Sequence, residues 1–171
     1  MPTTMQAIAT VTVGAGGAAS IDFTNIPQTF TDLVVKLSGR SARSAQQADN
    51  LFITLNASGT GYTYRNLSGT GTAAGSANYA SRYVSLALTA AGSTASTFSN
   101  IEIYIPNYAS TTQNKSISTD AVSENNASNA QMDMNATLWA NTAAITSLTL
   151  VPEVSTFVQH STATLYGIKN S

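Results

Sequence analysis

Short runs in which apolar and polar residues alternate recur from one end of the chain to the other. A two-residue period marks strands with one face on a core and the other in solvent. The runs predict strands over 6–13, 19–24 (Ile21, Phe23), 31–38 (Leu33, Val35, Leu37), 51–56 (Leu51, Ile53, Leu55), 80–88 (Tyr83, Leu86, Leu88) and 97–105 (Ile101, Ile103, Ile105). Four more are predicted over 115–123 (Ile117, Val122), 130–139 (Met132, Met134, Leu138), 145–151 (Ile145, Leu148, Leu150) and 157–168 (Phe157, Leu165, Ile168). The lone tryptophan, Trp139, is expected to anchor the core. No stretch has a helical period with a cap and a stop, and at most one helical turn is expected, around 40–49.

About ten strands with turn-rich spacers predict an all-β fold, an antiparallel β-sandwich of jelly-roll type forming a single domain over 1–171. The two longest spacers are 39–50 and 57–79. The second overlaps an internal echo, Asn56-Ala-Ser-Gly-Thr-Gly61 and Asn66-Leu-Ser-Gly-Thr-Gly71, which reads as a hairpin with related turns at its ends.

Composition changes this picture in one respect. Ser, Thr and Asn supply 60 residues and Ala 26, while charged residues are 9% of the chain and the net charge is −1. There is no field to attract nucleic acid or anionic membrane, and little repulsion between copies. The strands near 80–88 and 130–139 carry few charges, so they are the expected bare edges for self-association. No cysteine is present, which excludes disulfides, thiolate metal sites and Cys nucleophiles. The start, Met-Pro-Thr-Thr-Met-Gln, does not read as a secretory signal. The longest aliphatic run, Leu33-Val34-Val35, is far short of a membrane helix.

Candidate chemistry is sparse. Gly14-Ala-Gly-Gly-Ala-Ala19 formally fits a dinucleotide loop, but the residues after it alternate and reach Pro27, so a Gly-rich hairpin turn is expected. His160, the only histidine, lies in a predicted strand with no nucleophile elbow, so neither a Ser-His-Asp triad nor a zinc site is expected. Asp120 and Glu124 would share a strand face ~13 Å apart, too far for a glycosidase pair. No calcium loop is visible. No cofactor, metal or catalytic residue is therefore assigned. Arg40 and Arg43 form the densest basic spot and are expected to pair with acids on a neighbouring subunit. Tyr62 and Tyr64, placed in the Gly-rich spacer, are the expected exposed aromatic contacts.

Three stretches carry a family resemblance. The first runs Ile8-Ala-Thr-Val-Thr-Val-Gly14 and then Ser20-Ile-Asp-Phe-Thr-Asn-Ile-Pro-Gln-Thr-Phe-Thr-Asp-Leu-Val-Val35. The second is Ile103-Tyr-Ile-Pro-Asn-Tyr-Ala-Ser110 with Asn114-Lys-Ser-Ile-Ser118 and Ser123-Glu-Asn-Asn126. The third is Ser161-Thr-Ala-Thr-Leu-Tyr-Gly-Ile168. Together they resemble virion structural proteins of tailed phages of aquatic bacteria, of the cyanophage kind. The resemblance implies a non-enzymatic capsid decoration (cement) protein, assembled in the host cytoplasm and bound to the major capsid protein as a homotrimer. The alternative it leaves open is a tail or tail-fibre component with a receptor- or carbohydrate-binding β-sandwich. It also implies a last strand tucked between neighbours, leaving 169–171 outside. Separately, an N-terminal arm at Met1 is expected to pack on another subunit.

Overall fold

A computed structural model describes residues 4–126 and 130–169. The arm at Met1 and the last two residues lie outside the described residues. Among the described residues, twelve strands run in chain order: β1 (Met5–Thr12), β2 (Ile21–Phe23), β3 (Asp32–Gly39), β4 (Ala48–Leu55), β5 (Tyr62–Gly69), β6 (Ala74–Tyr79), β7 (Tyr83–Thr89), β8 (Ser99–Ile105), β9 (Lys115–Ser123), β10 (Gln131–Trp139), β11 (Leu148–Pro152) and β12 (Thr162–Ile168). They form two antiparallel sheets packed against each other. The large sheet has the order β1-β12-β3-β8-β9-β10-β5-β6, and the small one β2-β11-β4-β7. The chain is all-β, as the alternation predicts.

The core lies between the small sheet and the matching part of the large one. Leu33, Val35 and Leu37 of β3, Ile101, Ile103 and Ile105 of β8, and Leu165 of β12 point at Leu51, Ile53 and Leu55 of β4 and Leu148 and Leu150 of β11. Along β4, β8, β11 and β12 these side chains alternate with half-buried or exposed ones, so register is strongly specified: a one-residue slip would turn each apolar set to the outer face.

Several expectations are corrected. The spacer 57–79 is not an irregular loop: it holds the β5–β6 hairpin, in keeping with the hairpin reading of the echo. The echoed glycines close the two ends of β5: Gly61 has φ +82° and Gly71 φ +84°, a left-handed backbone open to glycine without cost. The stretch 130–139 is no edge, since β10 pairs with both β9 and β5, whereas β7 is an edge of the small sheet. Gly14–Ala19 makes a turn, with the Gly17 N–H donating to the Gly14 carbonyl at 3.0 Å, but it carries the chain from one sheet to the other rather than closing a hairpin. No helix occurs among the described residues, and 40–49 holds two bridge residues and the start of β4 instead. His160 is not in a strand. It is an exposed turn residue with φ +73°, two positions before β12.

Candidate functional site

The register of the large sheet aligns one row of side chains across all eight strands. Thr10, Thr164, Lys36, Glu102, Asp120, Met134, Leu67 and Ser76 are successive cross-strand partners. All lie on the outer face, away from the small sheet. The row changes character along its length. It begins with two threonines whose hydroxyls meet at 3.0 Å. It passes an exposed Lys36–Glu102 ion pair and Asp120, then ends in Met134, Leu67 and the open edge at Ser76.

Around that end the face is apolar and solvent-exposed. Met134 is 65% exposed, and Leu67 and Met132 are each 59%. Leu138 extends the stripe along β10. Open hollows on this face are lined by Gly69, Val122 and Met132, and by Leu67, Met134 and Ala136. Scattered exposed apolar side chains are ordinary, but adjacent ones on neighbouring strands mark contact surfaces.

The opposite face of β10 is polar and buried from Asp133 to Thr137, and it gives way to Trp139, Tyr62 and Tyr64 at its other end. Asp133 is 1% exposed, and its carboxylate accepts the Leu86 backbone N–H at 2.8 Å and the Gln131 side-chain amide at 2.7 Å. Asn135 Oδ1 accepts from the Tyr64 hydroxyl at 2.5 Å and the Asn66 amide at 2.8 Å. Thr137 donates to the Tyr83 carbonyl at 2.7 Å, and Thr89 and Ser123 share a hydroxyl contact at 2.8 Å. The bonds of Asp133, Thr137 and Ser123 join β10 and β9 to β7 of the small sheet, and those of Asn135 tie β10 to β5. β10 is therefore inverted relative to its pattern: Met132, Met134 and Leu138 face solvent, and Asp133, Asn135 and Thr137 face the interior.

The four residues expected to make contacts are all committed inside the chain. Arg40 is nearly buried. Its guanidinium donates to the carbonyls of Thr94 at 2.9 Å, Thr97 at 2.8 Å and Ser93 at 3.1 Å, which pins the connection from β7 to β8. Burial lowers its pKa from the ordinary arginine value. Arg43 does meet an acid, but one of its own chain: Nη1 lies 3.4 Å from Oδ1 of the buried Asp49. Tyr62 is buried against Trp139, with ring centres 6.1 Å apart, and its oxygen accepts the Leu55 N–H at 2.9 Å. Burial pushes its hydroxyl up to about 12. Tyr64 is fully buried, and burial followed by the nearby Asp133 charge raises its pKa. Both tyrosines face inward: Tyr64 meets Tyr83 of β7 with ring centres 5.7 Å apart, and Tyr62 reaches Leu55 of β4.

The exposed aromatic residue is Tyr79, at the end of β6. It packs edge-on to Tyr83 at 5.5 Å, Tyr83 stacks on Phe52 at 4.7 Å, and Arg82 lies over the Phe52 ring at 4.7 Å. The Tyr83 hydroxyl donates to Glu153 at 2.7 Å. A tyrosine spacing of four around a short turn is the signal that could have found this corner. Among the described residues, no three His, Cys, Asp or Glu side chains converge as metal ligands would.

No protein-family model and no curated protein matches the chain. Among solved structures, it is similar to a fructofuranosidase from Schwanniomyces occidentalis complexed with fructose, at 8% identity and a TM-score of 0.29, covering 99% of this chain and 35% of that one. It is also similar to the SPRY domain of human HERC1, at 12% identity and a TM-score of 0.27, covering 88% of this chain and 96% of that one. The chain thus spans about a third of the fructofuranosidase, and neither likeness carries a functional argument.

Proposed function

We propose that this chain is a non-enzymatic structural protein of a phage particle, a jelly-roll sandwich that decorates the capsid shell by binding the major capsid protein and copies of itself. The observation that carries this reading is the outer face of the large sheet: eight strands wide, poor in charge, and apolar where it approaches its open edge. A broad face of this kind fits a flat, repeated partner surface better than a small ligand, which needs a concave site.

Two further points support it. The stretches that resemble virion proteins fall on β1, β2, β3, β8, β9 and β12, five of which are contiguous in the large sheet. With β5, β6, β9 and β10 set aside, the remaining strands are ordered β1-β12-β3-β8 and β2-β11-β4-β7. This alternation between sheets, with the first strands beside the last, is the arrangement expected of two interleaved Greek keys.

The test is to add the purified chain to phage shells that lack it and count bound copies by quantitative gel and electron microscopy. Hundreds of copies on the shell support decoration. A handful at the tail favours the receptor-binding alternative, whose best surface is the Tyr79–Tyr83–Phe52 corner rather than Tyr62 and Tyr64. No binding to shell or tail overturns both.

A further inference from the structure

Four strands end the two sheets, and three of them are blunted. β2 has only three residues and an exposed Asp22. β7 shifts register twice against β4, and β1 shifts once against β12. β6 has none of the devices that protect an edge. It pairs with β5 without a shift and contains no proline or charge, and no charged residue occurs from Asn66 to Ser81. An unprotected, regular edge is a template for another strand.

Hydrogen-bond alternation shows which residues offer that template. The Thr70 N–H donates to the Ala73 carbonyl at 2.9 Å, closing a two-residue turn with Gly71 at its first central position. Counting outward, Gly75, Ala77 and Tyr79 bond to β5. Ala74, Ser76 and Asn78 turn their backbone N–H and C=O groups to the open edge.

We propose that β6 pairs antiparallel with β6 of a second copy, about a two-fold axis at Ser76. Ser76 then faces Ser76, and Ala74 faces Asn78, giving about six backbone hydrogen bonds. The side chains fit: all are small or neutral, and no like charges oppose each other. The axis also falls at the apolar end of the cross-strand row. Leu67 and Met134 of each copy flank it, so two half-exposed stripes become one apolar centre with the charged residues at its rim. A two-fold contact is self-complementary and closes, which uses up the edge without building fibres. This pairing stands or falls independently of the phage reading.

Light scattering at micromolar concentration gives the first readout. The full chain should have twice the 17.7 kDa chain mass. Ser76→Pro removes an edge-facing N–H while sparing the β5 ladder, and Ser76→Lys puts like charges opposite each other. Both should return the single-chain mass with an unchanged circular dichroism spectrum. Because the chain has no cysteine, Ser76→Cys should form one intermolecular disulfide when oxidised with diamide. Directly opposed Cα atoms at ~5.5 Å lie within disulfide range. Leu67→Cys should not, because the equivalent residues are three strand spacings apart, ~14 Å. A single-chain or three-chain mass for the unaltered protein, a two-chain mass that survives Ser76→Lys, or equal crosslinking by both cysteine variants overturns the proposal.

Discussion

The two ends of the large sheet are built on different interiors. At the end made by β3, β8 and β12, the inward residues are mostly aliphatic, so Ile103 is buried while its neighbour Glu102 meets solvent. At the end made by β10 and β5, Met134 is outside and Asn135 inside. The first arrangement gains from removing hydrocarbon from water. The second is held by hydrogen bonds whose partners must all be present, since a buried polar group without one costs about 1–3 kcal/mol. It is incomplete even so: Asn135 Nδ2 and Thr119 Oγ1 find no partner among the described residues. This end leaves Met132, Met134 and Leu67 in solvent while hydrogen-bonded polar residues of β10 fill the interior.

The largest effect expected from breaking this contrast lies at the conventional end. Ile103 is fully buried between the sheets. Ile103→Ala should cost about 2–5 kcal/mol, read as a lower urea midpoint with both sheets lost together. A shift under about 1 kcal/mol would mean that the inter-sheet core is not what holds the sandwich.

Asp133→Ala probes the inverted end. It strips the Leu86 N–H of its acceptor and leaves a void between β10 and β7. The expected cost is about 1–3 kcal/mol, smaller than at Ile103 and paired with faster amide exchange at Leu86. An unchanged exchange rate would show that the polar seam does not join the sheets.

The tyrosines at the junction give a pH test. Tyr62 and Tyr83 are each pushed up to about 12, first by burial. A raised folded value means that the unfolded chain ionises first, near 10. Their contribution is therefore full below pH 10 and is lost as pH rises towards 12. Denaturant midpoints should fall across that window. Tyr62→Phe should be less stable at neutral pH, because the Leu55 N–H loses its acceptor, yet should lose less between pH 10 and 12. An equal fall in both proteins would place the titrating group elsewhere.

How far the sequence could be read follows the same division. The Leu33-Val35-Leu37 and Ile101-Ile103-Ile105 runs put β3 and β8 in place because alternation reports burial directly. The same reading applied to Met132, Met134 and Leu138 finds β10 but turns it the wrong way. Alternation gives two faces without saying which is inside, and hydrophobicity decides wrongly where the interior is polar. The echo pointed to a hairpin at β5 and β6, but Gly, Ser, Thr and Asn, residues that favour turns by local preference, hid the extent of its strands. Their pairing comes from long-range contacts with β10 and the Gly71 turn. Arg40 looked like a loop cation, and its cage of carbonyls depends on the 90–98 connection folding over it, which no local pattern encodes.

The smallest effect on stability, and the one that sharpens the contrast most, is expected on the outer stripe. Met134→Thr exchanges an exposed apolar side chain for a β-branched residue with good strand propensity. If Met134 served the fold of a single chain, its loss would resemble a core truncation. Its 65% exposure says otherwise, so unfolding of the isolated chain should shift by no more than about 0.5 kcal/mol in either direction. Association should respond instead, because the row from Met134 through Leu67 to Ser76 ends at the open edge. The dissociation constant of the self-complex should rise while the urea midpoint of the single chain stays put. A matched loss of both would return Met134 to the ordinary core and end the distinction between the two ends of the sheet.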